Sequence, residues 1–218
     1  MGTLTRSAAV MAMAMAVALS LAVGARAEQS GQDAALVSGI ARHLAEAGGG
    51  VRAQFSQTRT LSAMKQPLVS TGSILFVRER GVIWHVDTPY KATYAITDAG
   101  MREIDANGQP GASRGGNDSR GTAQVSRMMR AMLGGDLSGL YSQFDVKAHG
   151  TPSNWRIELT PSQPQLAQSV RRLDMNGGDF LQGLRIVLAN GDATQIEFTG
   201  SAPAGELSPA ERAQLGAP

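Results

Sequence analysis

A few residues in this chain of 218 have the types and spacing to do chemistry. Gly111-Ala112-Ser113-Arg114-Gly115 matches G-x-S-x-G, which presents a nucleophilic serine on a sharp strand-to-helix turn. The flanking sequence does not supply that context, because Gln109 to Gly121 is rich in Gly, Ser and Asn and reads as a loop. Ser62-Ala63-Met64-Lys65 matches S-x-x-K, but the S-D-N and K-T-G partners of that chemistry are missing. His43, His85 and His149 are the only histidines, and none has a histidine or cysteine partner at i+2 or i+4, so no metal site is expected. His85 sits between Trp84 and Val86 on a strand and is expected to face outward or be hydrogen-bonded rather than catalytic. There is no phosphate-binding glycine loop. Asn117-Asp118-Ser119 is formally a glycosylation sequon that nothing else supports. The expectation is a protein without catalytic activity and without a cofactor.

Compartment restricts the remaining possibilities. Arg6 is followed by an uncharged run from Ser7 to Gly24 and by Ala25-Arg26-Ala27, an A-x-A cleavage pattern. Residues 1–27 therefore read as a removable signal peptide with cleavage before Glu28. The alternative is a retained anchor, but the run is about as short as a membrane span can be and is rich in alanine. Lys and Arg number 20 against 18 acids; without Arg6 and Arg26 the balance is 18 against 18. The basic precursor is thus no evidence for nucleic-acid binding, and no basic patch with interleaved aromatics is present. With no cysteine at all, neither N-terminal cysteine lipidation nor a disulfide is possible. Removing 27 of 218 residues leaves 191, enough for one domain with a real core.

Hydrophobic periodicity places the elements. From Asp33 to Ala47, Leu36, Ile40 and Leu44 recur at helical spacing, and Gly48-Gly49-Gly50 ends the run. Val51 to Thr58 alternates, with Val51, Ala53 and Phe55 on one face and Arg52, Gln54 and Ser56 on the other. Further strands are expected at Gly72–Arg78, Val82–Val86, Tyr90–Thr97, Met101–Asp105, Gln143–Ala148, Asn154–Thr160, Val170–Met175, Phe180–Leu188 and Thr194–Thr199. Turns are expected at Asp98-Ala99-Gly100, Asn107-Gly108, Asn176-Gly177-Gly178 and Asn190-Gly191-Asp192. Short strands with regular turns predict an antiparallel sheet or barrel rather than βαβ units. Thr122 to Leu133 reads as a helix with Val125, Met128, Met129, Met132 and Leu133 on one face. That face is either an ordinary core stripe or a polarizable surface for a variable apolar ligand. Asp136 to Tyr141 suggests another helical turn. The tail, residues 201–218, is expected to be loosely held, with a short helix opening at Ser208-Pro209-Ala210-Glu211.

One stretch is more specific than these patterns. Gly72 to Pro89 reads as two strands around a charged turn holding Arg78 and Arg80, with Phe76 and Trp84 on the strands. Before it comes Phe55-Ser56-Gln57. After it come Asp98-Ala99-Gly100, Leu140–Val146, Trp155–Pro161 and a closing Gln195-Ile196-Glu197-Phe198. In this order, from Asp33 to Gly200, the chain resembles the LolA-like outer-membrane lipoprotein carriers, as a divergent member. It lacks the additional C-terminal loop and strand of the best-known carriers. Met64–Ser70 is similar to broader LolA-like relatives, some of which accompany specialised lipid or polyene export systems.

The resemblance implies a mainly β fold with some α: an incomplete, strongly curved antiparallel β-barrel with an α-helical lid. The domain would span 28–200, followed by the tail. It implies a monomeric periplasmic carrier of lipoprotein acyl chains or other lipids, with an inner-membrane donor transporter and an outer-membrane acceptor as partners. Leu36, Ile40, Leu44, Phe55, Phe76, Trp84, Val125, Met128, Met129, Met132 and Leu133 become candidates for the cavity wall. Arg78 or Arg80 becomes the latch that holds the lid. A lipid-sensing or partner-binding module of the same fold is the alternative.

Overall fold

In most of ten segments of the chain apolar side chains alternate with polar ones and bury one face, whereas Ile74-Leu75-Phe76 and Val82-Ile83 are apolar without a break and are buried on both faces. The computed structural model describes residues 31–46, 48–78, 80–97, 100–105, 108, 111 and 138–216. The chain order is α1 (31–46), β1 (Gly50–Thr60), β2 (Leu68–Val77), β3 (Gly81–Thr88), β4 (Ala92–Thr97), β5 (Gly100–Ile104), α2 (Ser138–Tyr141), β6 (Phe144–Thr151), β7 (Asn154–Pro161), α3 (Pro164–Ala167), β8 (Val170–Gly177), β9 (Leu181–Leu188), β10 (Ala193–Pro203) and α4 (Pro209–Gln214). The ten strands form one antiparallel sheet in the order β5-β4-β3-β2-β1-β10-β9-β8-β7-β6. The β1–β10 pairing joins the two halves, and β5 and β6 remain as separate edges, so the barrel is incomplete. The expected signal peptide, Ser113, the sequon and the methionine-bearing helix lie outside the described residues.

The core lies on the inner face of this sheet. Ala53 and Phe55 of β1, Ile74 and Phe76 of β2, Ile157 and Leu159 of β7, Leu173 and Met175 of β8, Leu184 of β9, and Ile196 and Phe198 of β10 are all buried together. Helix α1 covers them with Val37, Ile40 and Leu44, at 1%, 0% and 9% exposure. The apolar stripe is thus centred on Val37 and Ile40, and Leu36 is only half-buried at its edge.

Two glycines let aromatic rings lie flat on the sheet. Phe55 faces Gly72 across β1 and β2, and a Cβ at Gly72 would meet the His85 carbonyl at 1.9 Å and the Phe55 ring at 2.9 Å. Trp155 faces Gly177 across β7 and β8, where a Cβ would meet the Trp155 ring at 2.6 Å. The indole N–H of Trp155 then donates to the Gly178 carbonyl at 3.0 Å. This explains why Asn176 and Gly177 belong to β8 rather than to the expected turn, which falls at 178–180.

Other boundaries also depart from the sequence expectation, three of them informatively. Strand β2 begins at Leu68, four residues before Gly72, because Leu68 to Thr71 continue the pairing with β1. Strand β4 begins at Ala92 rather than Tyr90, since Pro89 and Tyr90 form the turn. Strand β10 runs to Pro203 instead of stopping at Thr199. The β1–β10 register shifts between Arg52 and Gln54, and Gly200 adopts φ 62° there. The extra residue flips the alternation, so the period-2 pattern breaks where the strand does not.

The tail is not loosely held. Past the bulge, Ala204, Leu207 and Leu215 pack on Leu75, Val77 and Ile83, on the face of β2 and β3 opposite the core. Ser208 caps α4 through a capping box with Glu211. Arg52 then clamps the helix: its guanidinium donates to both Glu211 carboxylate oxygens, at 2.5 and 3.1 Å, and to the Ala204 carbonyl at 2.8 Å. A two-pronged contact of this kind fixes both distance and orientation.

Two predictions follow from these contacts. Gly72→Ala should cost about 2–4 kcal/mol in urea unfolding, because the new methyl strikes backbone. Gly49→Ala, with nothing within 4 Å, should stay within about 0.5 kcal/mol of the parent. The hydrogen bonds from Arg52, and then those from Ser208, lower the Glu211 carboxyl from its ordinary 4.5 to about 2. Its contribution to holding α4 is therefore complete above about pH 4.5 and fades as pH falls toward 2. Limited proteolysis after Gly205 should accelerate over that window, and Glu211→Gln should show the fast cleavage already at neutral pH.

Candidate functional site

The inner face of the sheet is the candidate site, and α1 lies across it. Strand pairing defines two ends. At one, Gly50 faces Val77, Gly177 faces Leu181, and Thr151 faces Asn154. At the other, Thr60 faces Ala193, Thr71 faces Thr88, and Phe144 faces Pro161. The C-terminal half of α1 plugs the first end. A cavity of about 30 Å³ remains there, lined by Leu44, Val51, Ala53, Ile74, Phe76, Phe180, Leu181, Phe198 and Ser201. That is room for one or two water molecules, so α1 occupies the space that an acyl chain would need.

Burial loosens away from the plug. Phe55 and Trp84 stack with centroids 4.1 Å apart, and Trp84 meets Phe198 edge-on at 6.5 Å. Phe55 and Phe198 are buried, but Trp84 is only half-buried, as are Val86, Val146, Val170 and Ile186 beyond it. The apolar strip thus continues past α1 toward the second end, which we term the mouth end.

Among the described residues, three polar ties hold α1. Near its start, the carboxylate of Asp33, 6% exposed, accepts from the backbone N–H of Ala148 on β6 at 3.3 Å. Burial and the charge of Asp33 raise the nearby Tyr141 hydroxyl above its ordinary value. Near the C-terminus, His43 Nε2 and Asp179 Oδ1 meet at 2.8 Å over the β8–β9 turn, in an exposed setting. At the last turn, Arg78 Nη2 donates to the Ala45 carbonyl at 3.1 Å, one of the carbonyls that a helix end leaves unpaired. The Arg78 backbone N–H also donates to Gly49 at 2.7 Å. Its Nε is buried with no hydrogen-bond partner among the described residues.

Of the expected residues, Ile40, Leu44, Phe55, Phe76 and Trp84 converge on this site, with Leu36 at its margin. Val125, Met128, Met129, Met132 and Leu133 lie outside the described residues. The two arginines separate: Arg78 reaches α1, whereas Arg80 is exposed and lines an open depression with Val77, Ala204, Leu207 and Arg212. Val37, Asp33 and the His43–Asp179 contact were missed. The acid in the first turn of α1 was a readable signal, but its partner 115 residues away was not.

The other chemical motifs resolve into structure. His85 is hydrogen-bonded to Thr93 Oγ1 at 2.6 Å and lies 3.2 Å from Asp87. The Ser62 hydroxyl and backbone N–H both donate to Asp192, so that serine caps a turn. No group of metal-ligating side chains occurs among the described residues, and no helix among them is long and apolar enough to cross a membrane. A broad concavity of about 1240 Å³ lies over the opposite face of β7–β10. Its lining includes Arg156, Glu158, Arg172, Asp174 and Arg185, which makes it no place for a hydrocarbon chain.

The chain matches the family described as outer membrane lipoprotein carrier protein LolA-like over residues 29–214. It belongs to that family. No curated protein sequence is significantly similar to it. Among solved structures, a LolA superfamily protein of Nitrosomonas europaea is 8% identical, with TM-score 0.40, over 77% of this chain and 94% of that one. MucB of Pseudomonas aeruginosa, in complex with MucA, is 14% identical with TM-score 0.45, over 84% of this chain and 61% of that one. LprF of Mycobacterium bovis is 11% identical with TM-score 0.35, over 79% and 94%. Identities this low say nothing about ligands, and what this LolA-like chain binds has to come from its own inner face.

The arginine assignment generates a direct test. Arg78→Leu should speed amide hydrogen exchange in residues 42–46 by about tenfold, the effect of losing one hydrogen bond at a helix end. Arg80→Leu should leave those amides unchanged.

Proposed function

We propose that the protein is a periplasmic carrier that binds the acyl chains of lipoproteins or other lipids on the inner face of the sheet, without catalysis. The observation that carries this reading is the apolar inner face, covered by a separate helix that Asp33, His43 and Arg78 tie to the sheet. Membership in the LolA-like family supports it.

Magnitudes decide whether α1 can yield to a cargo. Val37, Ile40 and Leu44 each contribute about 1.5–3 kcal/mol of burial. A chain of fourteen methylenes is worth about 11 kcal/mol at 0.8 each. The two are close enough for a lipid to replace the helix and for the helix later to expel the lipid. A closed, dry core with no movable part would not permit that exchange. Arg78 is then the latch: it stabilises the plugged state, and its buried Nε, without a partner among the described residues, keeps the tie weak. The donor would be an inner-membrane transporter and the acceptor an outer-membrane protein.

Native mass spectrometry of protein purified from the envelope fraction tests the reading. Bound lipid or lipopeptide is expected, and Arg78→Leu should retain it while slowing transfer to an acceptor. A protein that is empty from every host and fails to take up acylated peptide would overturn carriage. An empty protein tightly bound to one protein partner would point to the sensing module instead. Ester turnover abolished by Ser113→Ala would establish a hydrolase and remove the claim that there is no catalysis.

A further inference from the structure

The large apolar side chains left in water are not scattered. Among the described residues they are Met64, Leu68, Val69, Tyr90 and Tyr141, at 46%, 44%, 53%, 83% and 42% exposure. All five sit at the mouth end. Met64 lies in the β1–β2 hairpin, Leu68 and Val69 open β2, Tyr90 is in the β3–β4 turn, and Tyr141 closes α2 just before β6. The β2–β3 pairing carries Thr71 opposite Thr88, with their hydroxyls 2.7 Å apart, so the hairpin and the turn lie side by side. None of the exposed large apolar residues among those described lies at the plugged end. Single exposed hydrophobes are ordinary, but a group confined to one end is not.

The tip is also built to stay put. Ser62 donates through both its backbone N–H and its hydroxyl to Asp192, at 2.7 and 2.8 Å. Asn190 holds the same carboxylate at 2.9 Å, and Met64 closes a turn onto the Leu61 carbonyl. The apolar side chains are therefore displayed on a pinned hairpin.

Geometry and charge select the occupant. Leu68 and Val69 are consecutive on a strand, so their side chains point to opposite faces. A partner lying on either face meets one of them; a surface approached end-on meets both. Lys65 follows Met64, Lys91 follows Tyr90, and both lysines are exposed. Tyrosine prefers the level of lipid headgroups, while lysine extends its stem over apolar surface and places its charge among anionic groups. We propose that the mouth end docks on an anionic lipid surface, with Met64, Leu68, Val69 and Tyr90 entering the interface and Lys65 and Lys91 at headgroup level. This goes beyond acyl-chain carriage and does not require it.

Flotation with vesicles tests it, using the purified chain and a mass measurement to confirm its N-terminus. The protein should float with vesicles of phosphatidylcholine and phosphatidylglycerol, and less with phosphatidylcholine alone. Leu68→Ser/Val69→Ser/Tyr90→Ser should reduce vesicle partition by about tenfold with an unchanged thermal midpoint. Lys65→Gln/Lys91→Gln should remove the preference for anionic vesicles. Wild-type protein that floats with neither vesicle overturns the proposal, as does flotation that survives the triple substitution. Lipid recovered in a soluble complex while no protein stays on vesicles also overturns docking, yet leaves carriage standing. Tip substitutions that spare flotation but abolish cargo transfer would assign the tip to a protein partner and likewise overturn the lipid assignment.

Discussion

The inner face of the sheet has to be kept from water, and the sheet does not close to do it. Ten strands with apolar residues on one side could shield that side by pairing β5 with β6 into a full barrel, but these edges stay apart. Among the described residues shielding falls to α1, whose Val37, Ile40 and Leu44 complete the core. A closed barrel would have made the interior permanent. A separate helix makes it conditional, because a helix can leave without breaking a strand ladder. The bulge at Gly200, the docked tail and the aromatic–glycine pairs all serve the curvature that gives α1 something to sit in.

Gly72 and Gly177 show how that curvature is filled. On a strongly bent sheet, side chains on the inner face crowd one another. Setting a ring opposite a glycine turns two positions into one large flat contact, as Phe55 does over Gly72 and Trp155 over Gly177. The outer face meets the opposite condition, with side chains splayed apart. On β2 and β3 the gap is covered by Leu207, Leu215 and α4, held by Arg52. On β7–β10 it is left to water and lined with charge. One sheet thus has an apolar outer patch only where the tail covers it.

Much of this was legible from residue patterns, and what was not has a common cause. All ten strands form near their expected positions because alternation is a local signal. Phe55 was readable as inward-facing because it sits in phase with Ala53, whereas Phe76 and Trp84 were named through the family resemblance; all three meet on the inner face. Phase is also where the reading failed: the bulge at Gly200 reverses the alternation, so β10 looked finished at Thr199 and the segment beyond looked free. The Arg52–Glu211 clamp spans 159 residues and the Asp33–Ala148 bond 115. Neither has any local signature. Arg78 and Arg80 could not be told apart because two residues on one turn differ only in direction, and direction depends on where α1 ends. Val37 was overlooked for a similar reason, since a helix stripe has a period but its centre is set by what it packs against.

The ties on α1 are unequal, and their placement matters more than their number. His43–Asp179 is exposed to solvent, where such a pair is worth about 0–1 kcal/mol. Arg78 makes one bond to the helix and keeps a second donor dry. Both act on the last turns of α1, beside the cavity under Leu44. Asp33 is buried at the other end, so breaking its bond to Ala148 would strand a carboxylate away from water unless the whole first turn lifts. The cheaper movement is a pivot about the Asp33 end, with the C-terminal half of α1 swinging off the sheet. That movement widens an existing void rather than opening a new one. It uncovers the buried stretch of Phe76 and Phe55 that runs on, through half-buried Trp84 and Val86, to the mouth. On the proposed carrier reading, entry of a chain and displacement of the plug would share one continuous apolar track, weakest where it is already hollow.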